Sequence, residues 1–371
     1  MYHFRKSIEE ISPYKPGKPV KEVERELGIK DSIKLASNEN AWGFSPKSKA
    51  AMEEAIKNAN IYPDGGSFYL RQKIAAFNHV PFENVIVGNG SNELLAIIMR
   101  TVLAEGTSVV SSQYAFSIYG IIAQMCGAKF ITTPSPNCIP DVYSMMKACD
   151  ESTAIIIVDN PNNPTGAYIP YEQMIDLMNF AEKNKIMLIV DEAYWEYVRA
   201  KDYKTMMTVF DKYQNLVITR TFSKAYGLCG LRIGYAIGAK HIMDLAHKVR
   251  DPFNVNIVAQ YAGEAALDDQ DFVKKTVKNT HEGIDFLYTE LHKLGLKCVE
   301  TQCNFILVEV PGCGKDFFDK LLQYGIIVRP MGAYHLNNHI RLTVGTMDQN
   351  KKAIEAIKGV LKNEKEVRHS C

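Results

Sequence analysis

Four short stretches just past short apolar runs, and a fifth close behind one of them, carry residue types that can do chemistry. Thr221-Phe-Ser-Lys-Ala-Tyr-Gly227 sets Lys224 beside two hydroxyls, Thr221 and Ser223, among small and apolar residues. A lysine desolvated in this way loses its proton more easily and can attack a carbonyl to form a Schiff base; a solvated surface lysine is the plain alternative. Gly230-Leu-Arg-Ile-Gly-Tyr235 follows closely and brings Arg232 within reach of an anion. Asp191-Glu-Ala-Tyr194 follows the run Ile186–Val190. A carboxylate there is costly unless paired. It is a helix cap, half of a buried ion pair, or the partner of a cationic group on a bound cofactor. Asp159-Asn-Pro-Asn-Asn-Pro-Thr-Gly166 makes a stiff loop that presents amides in fixed directions, as an ordinary turn of this composition also would. Gly88-Asn-Gly-Ser-Asn-Glu93 runs a strand through a glycine turn into a helix start, where free N–H groups can hold a phosphate. A dinucleotide fingerprint would need a third glycine where Glu93 stands.

Taken together, these parts meet the needs of one cofactor. Pyridoxal phosphate requires a lysine imine, a carboxylate to keep its ring nitrogen protonated, donors to its ring oxygen, and a phosphate cup. The protonated ring then serves as an electron sink for a carbanion at a substrate α-carbon.

The elements that must position these residues can be read from periodicity. Short apolar runs at Val85–Val87, Val109–Val110, Phe130–Thr132, Ala154–Val158, Ile186–Val190 and Leu216–Thr219 read as buried strands. Helical patterns lie between them, one opened by the cap-and-proline pair Ser45-Pro46 and others over Asn92–Leu103 and Pro170–Asn184. This alternation predicts crossover units and a mostly parallel sheet, with ligands beyond the carboxyl ends of the strands. After about residue 240 the rhythm changes. Helical stretches at Ala239–Val249 and Val258–Leu294, the second broken near Asp268–Asp271, precede strands at Phe305–Val310, Ile326–Val328 and Ile340–Val344. The expected fold class is α/β: a large domain with a mostly parallel sheet flanked by helices, plus a smaller α+β domain. The expected boundaries are residues 1–42 for an N-terminal arm and part of the small domain, 43–265 for the large domain and 266–371 for the small one.

Composition excludes other classes. The 371 residues carry 43 Lys and Arg against 42 Asp and Glu, so charge gives no bulk argument for nucleic acid or an anionic membrane. No apolar run approaches the roughly 18–20 residues of a membrane span, and MYHFRKSIEE lacks the apolar core of a signal peptide. The 8 cysteines contain no Cys-x-x-Cys and read as reduced structural thiols. His335 and His339 share a loop-like stretch and are not read as metal ligands. The expectation is a cytoplasmic protein with small-molecule substrates and no metal, nucleic-acid or membrane partner.

At this point the sequence resembles the fold-type I, class II pyridoxal-phosphate aminotransferases, and among them the histidinol-phosphate aminotransferases. The likeness runs from about Tyr14 to Gly345. Beyond the stretches above it is carried by Tyr14-Lys-Pro-Gly-Lys-Pro19, Leu35-Ala-Ser-Asn-Glu-Asn40, Tyr62-Pro-Asp-Gly65 and Ile340-Arg-Leu-Thr-Val-Gly345. The resemblance implies that Lys224 carries the cofactor as an imine and then moves the proton between Cα and C4′. It implies Asp191 on the ring nitrogen, Asn163 and Tyr194 on the ring oxygen, and Tyr114 stacked on the ring. Ser91, Asn92, Thr221, Ser223 and Arg232 would hold the phosphate. Tyr62 would reach the phosphate in a neighbouring subunit, which implies a homodimer. Tyr14, Arg329 and Arg341 would face the substrate, with Arg341 as the anion clamp. The implied reaction exchanges histidinol phosphate and 2-oxoglutarate for imidazole-acetol phosphate and glutamate, in histidine biosynthesis.

Three departures from the family pattern stand out. Ala41-Trp42 replaces the usual Pro-Leu after Asn40, Ser112-Gln-Tyr-Ala-Phe116 replaces the usual Pro-Thr before the stacking aromatic, and Cys229 replaces an alanine. The first two are expected beside the substrate pocket. An aromatic amino-acid aminotransferase would use the same chemistry. A phospho-amino-acid decarboxylase would release carbon dioxide with no keto-acid acceptor. From other classes, a nicotinamide dehydrogenase is opposed by Glu93, and a non-catalytic regulator would need a DNA-binding domain for which no stretch is spare.

Overall fold

The computed structural model describes residues 3–13 and 17–369. After a short strand β1 (Ile33–Lys34) come seven strands: β2 (Val85–Gly88), β3 (Ser108–Ser112), β4 (Lys129–Thr133), β5 (Thr153–Asp159), β6 (Met187–Asp191), β7 (Leu216–Thr221) and β8 (Gly234–Gly238). They form one sheet in the order β2-β8-β7-β6-β5-β3-β4. Pairing is parallel from β7 through β4, and β8 runs antiparallel to both β7 and β2. The strands are continuous apolar runs because helices cover both faces. Ile155 and Ile157 of β5 join Leu94, Leu95 and Ile98 of helix Ser91–Arg100 and Met243 of helix Lys240–Val249 on one face. Ile156 and Val158, one residue out of phase, meet Met174, Leu177 and Met178 of helix Tyr171–Lys183 on the other.

The strand β8 is not among the sequence expectations. Glycines at both ends and Arg232 just ahead of it make the stretch look like an anion-binding loop, yet all five residues are buried. The helical stretch after residue 257 breaks as expected, into Ile257–Leu267 and Gln270–Lys293, with Asp269 capping the second helix through Phe272 N at 3.3 Å.

The last third builds β9 (Lys297–Cys298), β10 (Phe305–Glu309), β11 (Ile326–Ile327), β12 (Arg329–Pro330) and β13 (His339–Thr343). Four of these form an antiparallel sheet in the order β12-β13-β10-β9, while β11 pairs in parallel with β1. Ile306, Val308, Ile340 and Leu342 share a second core with Phe317 and Leu321 of helix Gly314–Gln323 and Ile354 of the last helix. Among the described residues, no helix is long and apolar enough to cross a membrane.

Candidate active site

The carboxyl ends of β5, β6 and β7 open on a cavity of about 440 Å³, closed on its far side by residues around β1, β12 and β13. The two acidic residues after Val190 divide by strand alternation. Glu192 turns away and accepts from Arg220 Nε and Nη2 at 3.0 and 2.7 Å, an ion pair buried on both sides. Asp191 lines the cavity. Its Oδ2 accepts from Tyr119 OH at 2.9 Å, while Oδ1 is buried with no hydrogen-bond partner. Burial pushes the Asp191 carboxyl up to about 6, against the pull of Tyr119.

Lys224 faces the same space. Its Nζ lies 3.4 Å from the carbonyls of Ser37 and Asn38, and 5.5 Å from the centre of the Tyr194 ring. Desolvation first, and the Arg341 charge second, lower its proton affinity to about 8. The turn that carries it is tight: a Cβ on Gly227 would come 1.8 Å from the Gly43 carbonyl oxygen, and its φ is +74°. Tyr194 accepts from Asn38 Nδ2 at 2.9 Å, and burial raises its phenol pKa, so the hydroxyl stays protonated. Asn163 accepts from Arg341 Nη1, which turns its NH2 group into the donor available to a ligand oxygen. Arg341 also donates to the Ala36 carbonyl at 2.9 Å.

The glycine turn ends at Gly90 (φ +86°), and Ser91 opens helix Ser91–Arg100 with no side-chain cap. A Cβ on Gly90 would lie 2.4 Å from Arg232 Nη2, so the missing side chain is the space that the guanidinium occupies. Arg232, itself at φ +58°, donates to the Cys229 carbonyl at 3.0 Å and reaches Ser223 Oγ at 3.5 Å. Thr221 Oγ1 accepts from Ser223 N at 3.1 Å. Helix dipole, hydroxyls and guanidinium converge here as an anion cup. Glu93, which displaces the third glycine of a dinucleotide fingerprint, ties the turn down by accepting from Asn89 N at 2.6 Å.

Ser91, Asn92, Thr221, Ser223 and Arg232 therefore line the cavity at one end, and Asn163, Asp191, Tyr194 and Lys224 at its centre. Arg341 and Arg329 stand at the other end. Among the described residues, two expected ones do not line this cavity. Tyr14 lies outside the described residues. Tyr62 is 78% exposed and stacks on Phe253 at 4.7 Å, on the outer surface. Tyr114 is a correction. The chain turns immediately after β3, with Ala115 N donating to Ser112 O at 3.1 Å, and Tyr114 packs on Leu307, Met331 and Leu336. Phe116, two residues later, lines the cavity instead, together with Tyr119, Tyr194 and Tyr334. Ala41 and Trp42 are likewise not among the lining residues; Trp42 N is held by Asn40 Oδ1 at 3.0 Å. Of the three departures, Cys229 and the Phe116 of the second face the cavity.

Sequence reasoning missed Phe116, Tyr119, Asn38, Asp159 and Lys34. The spacing of Phe116 and Tyr119 was an available signal, since the turn leading into helix Ile118–Met125, closed by Tyr119 N donating to Phe116 O at 3.1 Å, brings residues three apart together. Asn38, at φ +56°, depends on contacts with Thr343 and Tyr194 hundreds of residues away, and no local pattern shows it.

The residues fit pyridoxal phosphate. A buried carboxylate oxygen without a partner awaits a ring N–H, a lysine of lowered pKa awaits a carbonyl, and an anion cup stands beside them. The chain belongs to the class I and II aminotransferases, whose family model matches residues 30–357. Its curated relatives narrow this to the histidinol-phosphate aminotransferases. It is 41% identical to histidinol-phosphate aminotransferase 2 of Carboxydothermus hydrogenoformans over 96% of this chain and 99% of that one. The histidinol-phosphate aminotransferase of Moorella thermoacetica is 40% identical, over 96% of this chain and 92% of its own. Among solved structures, the Sinorhizobium meliloti histidinol-phosphate aminotransferase in complex with pyridoxal 5′-phosphate is 25% identical, with a TM-score of 0.89 over 98% of each chain.

Proposed function

We propose that this chain is a pyridoxal-phosphate enzyme that moves an amino group between histidinol phosphate and 2-oxoglutarate, giving imidazole-acetol phosphate and glutamate. The observation that carries the reading is one cavity that joins Lys224 and Asp191 to the cations Arg341, Arg329 and Lys34. One amino donor presents a phosphate and the keto acid presents carboxylates, so a shared cationic end serves both substrates in turn.

When bound, the cofactor supplies the electron sink that lets a substrate Cα–H bond break. Asp191 Oδ1 would accept the ring N–H, with Tyr119 keeping that carboxylate oriented. Asn163 and Tyr194 would donate to the ring oxygen, and Phe116 would cover the ring. Ser91, Asn92, Thr221, Ser223 and Arg232 hold the phosphate. Lys224 would hold the cofactor through its Nζ and, once the substrate amine takes its place, its freed amine would move the α-proton as general base. Tyr62 projects from an exposed aromatic surface that includes Tyr69 and Phe253, and we assign it to the phosphate site of a second subunit in a homodimer. The same reading takes residues 43–265 as the cofactor-binding domain and 266–371, with 1–42, as the part that shapes the substrate end.

The test is spectroscopic. Histidinol phosphate added to purified holoenzyme without a keto acid should convert the yellow form to the pyridoxamine form. No change, in a preparation that responds to phenylalanine or tyrosine, would move the assignment to an aromatic aminotransferase. Lys224→Ala should cut turnover by about 10³-fold or more while leaving the fold intact. Wild-type turnover in that variant would sink the catalytic assignment.

A further inference from the structure

We propose that Asp159 is a second carboxylate of the cofactor site, a positioning residue that aims Asn163 and adds its charge to that of Asp191. The proposal rests on reading Asp191 as the partner of the cofactor's ring nitrogen.

Asp159 and Asp191 are the last residues of adjacent parallel strands, and their Cα atoms are register partners. Both are 4% exposed and both line the cavity. Asp159 Oδ2 accepts from Asn163 N at 2.9 Å, and Oδ1 accepts from Asn162 Nδ2 at the same distance. Asn162 in turn holds Thr165 N and Oγ1 through its own Oδ1, at 3.1 and 2.7 Å. The loop that presents Asn163 to the cavity is therefore suspended from Asp159.

A neutral side chain could anchor a loop. Two amide donors do not offset the burial of a full charge, and the nearest acidic group repels it. Burial and Asp191 together push the Asp159 carboxyl up to about 7. The groups facing it are Asp191 from β6, Tyr119 from helix Ile118–Met125, and Cys303 ahead of β10; Arg341 from β13 bonds to the Asn163 side chain on the same loop. Burial keeps Tyr119 and Cys303 in their neutral forms. A pair of strand-end carboxylates is thus unfavourable in the empty cavity and becomes favourable once a positively charged ring enters.

The test uses holoenzyme of wild type, Asp159→Asn, Asp159→Ala and Asp191→Asn. Two readouts are taken: the pH midpoint of the visible band of bound pyridoxal phosphate, and the rate of cofactor release into apo-acceptor. Loss of the Asp159 charge should lower the midpoint by about one pH unit and speed release about tenfold. Both Asp159 variants titrating and releasing like wild type would overturn the proposal. Asp191→Asn behaving like wild type would instead overturn the reading on which it rests. Cofactor-free Asp159→Asn should unfold at pH 8 no lower than wild type. A collapse of stability there makes Asp159 a structural anchor and also overturns the proposal.

Discussion

At the scale of single residues, the site depends on what two positions leave open and on what one hydroxyl supplies. Gly90→Ala would set a methyl group where Arg232 Nη2 lies, at a φ that disfavours any side chain. The folded variant should release pyridoxal phosphate about tenfold faster, read by the decay of the visible band. Tyr119→Phe removes the hydroxyl that donates to Asp191 Oδ2 and leaves burial to hold the proton more firmly. Cofactor affinity should fall about tenfold, and fall further toward acid, as an equilibrium titration would measure. In wild type the same logic gives the sign of the pH dependence. If Asp191 pairs with the ring N–H as proposed, it does so only as the carboxylate, so cofactor binding should weaken as pH drops through about 6. Lys224, Asp191, Asn163 and Arg232 were legible in the sequence because each ends a buried run or follows a glycine turn. That Phe116 and not Tyr114 lines the cavity was not, since the two are equivalent by composition and only the turn after Ser112 sends the first away from the cavity.

At the scale of elements, strand ends gather the charges. In the cofactor-free protein Asp159 and Asp191 hold protons more tightly than the roughly 3.9 of an unfolded aspartate. The folded state therefore binds the extra protons between about pH 4 and 7, and stability from these two groups is lost as pH rises through that window. Replacing both by asparagine should flatten that part of the stability curve, measured by thermal unfolding from pH 5 to pH 8. Glu192 and Arg220 behave differently, because each satisfies the other at the ends of β6 and β7 and Arg220 also lies 4.0 Å over the Trp195 ring. Arg220→Met would strand a buried carboxylate and should cost about 3–5 kcal/mol in urea unfolding. The parallel strands were readable as apolar runs. The strand β8 was hidden by its flanking glycines, and only its pairing with β2 and β7 makes it a strand at all.

At the scale of the whole molecule, the proposed dimer would divide the site between two chains, and distant segments of one chain also share it. If Tyr62 completes the neighbour's phosphate cup, Tyr62→Ala and Lys224→Ala subunits should each be impaired alone. Dissociated and reassembled together, they should regain turnover in mixed dimers, because an intact Tyr62 then faces an intact Lys224. Within one chain the lysine turn also leans on a segment far upstream. Asn40 Nδ2 donates to the carbonyl of Ala225 at 3.0 Å across 185 residues, Asn38 holds Tyr194 across 156, and Gly227 closes on the Gly43 carbonyl. This sets an order of events in refolding. The central sheet can assemble from neighbouring crossover units, but the lysine turn must wait for residues 38–43 to dock across that distance, and such late, long-range closures are slow. On dilution from denaturant, ellipticity should return before the ability to turn yellow with added pyridoxal phosphate, and the interval between the two signals times the arrival of the upstream segment.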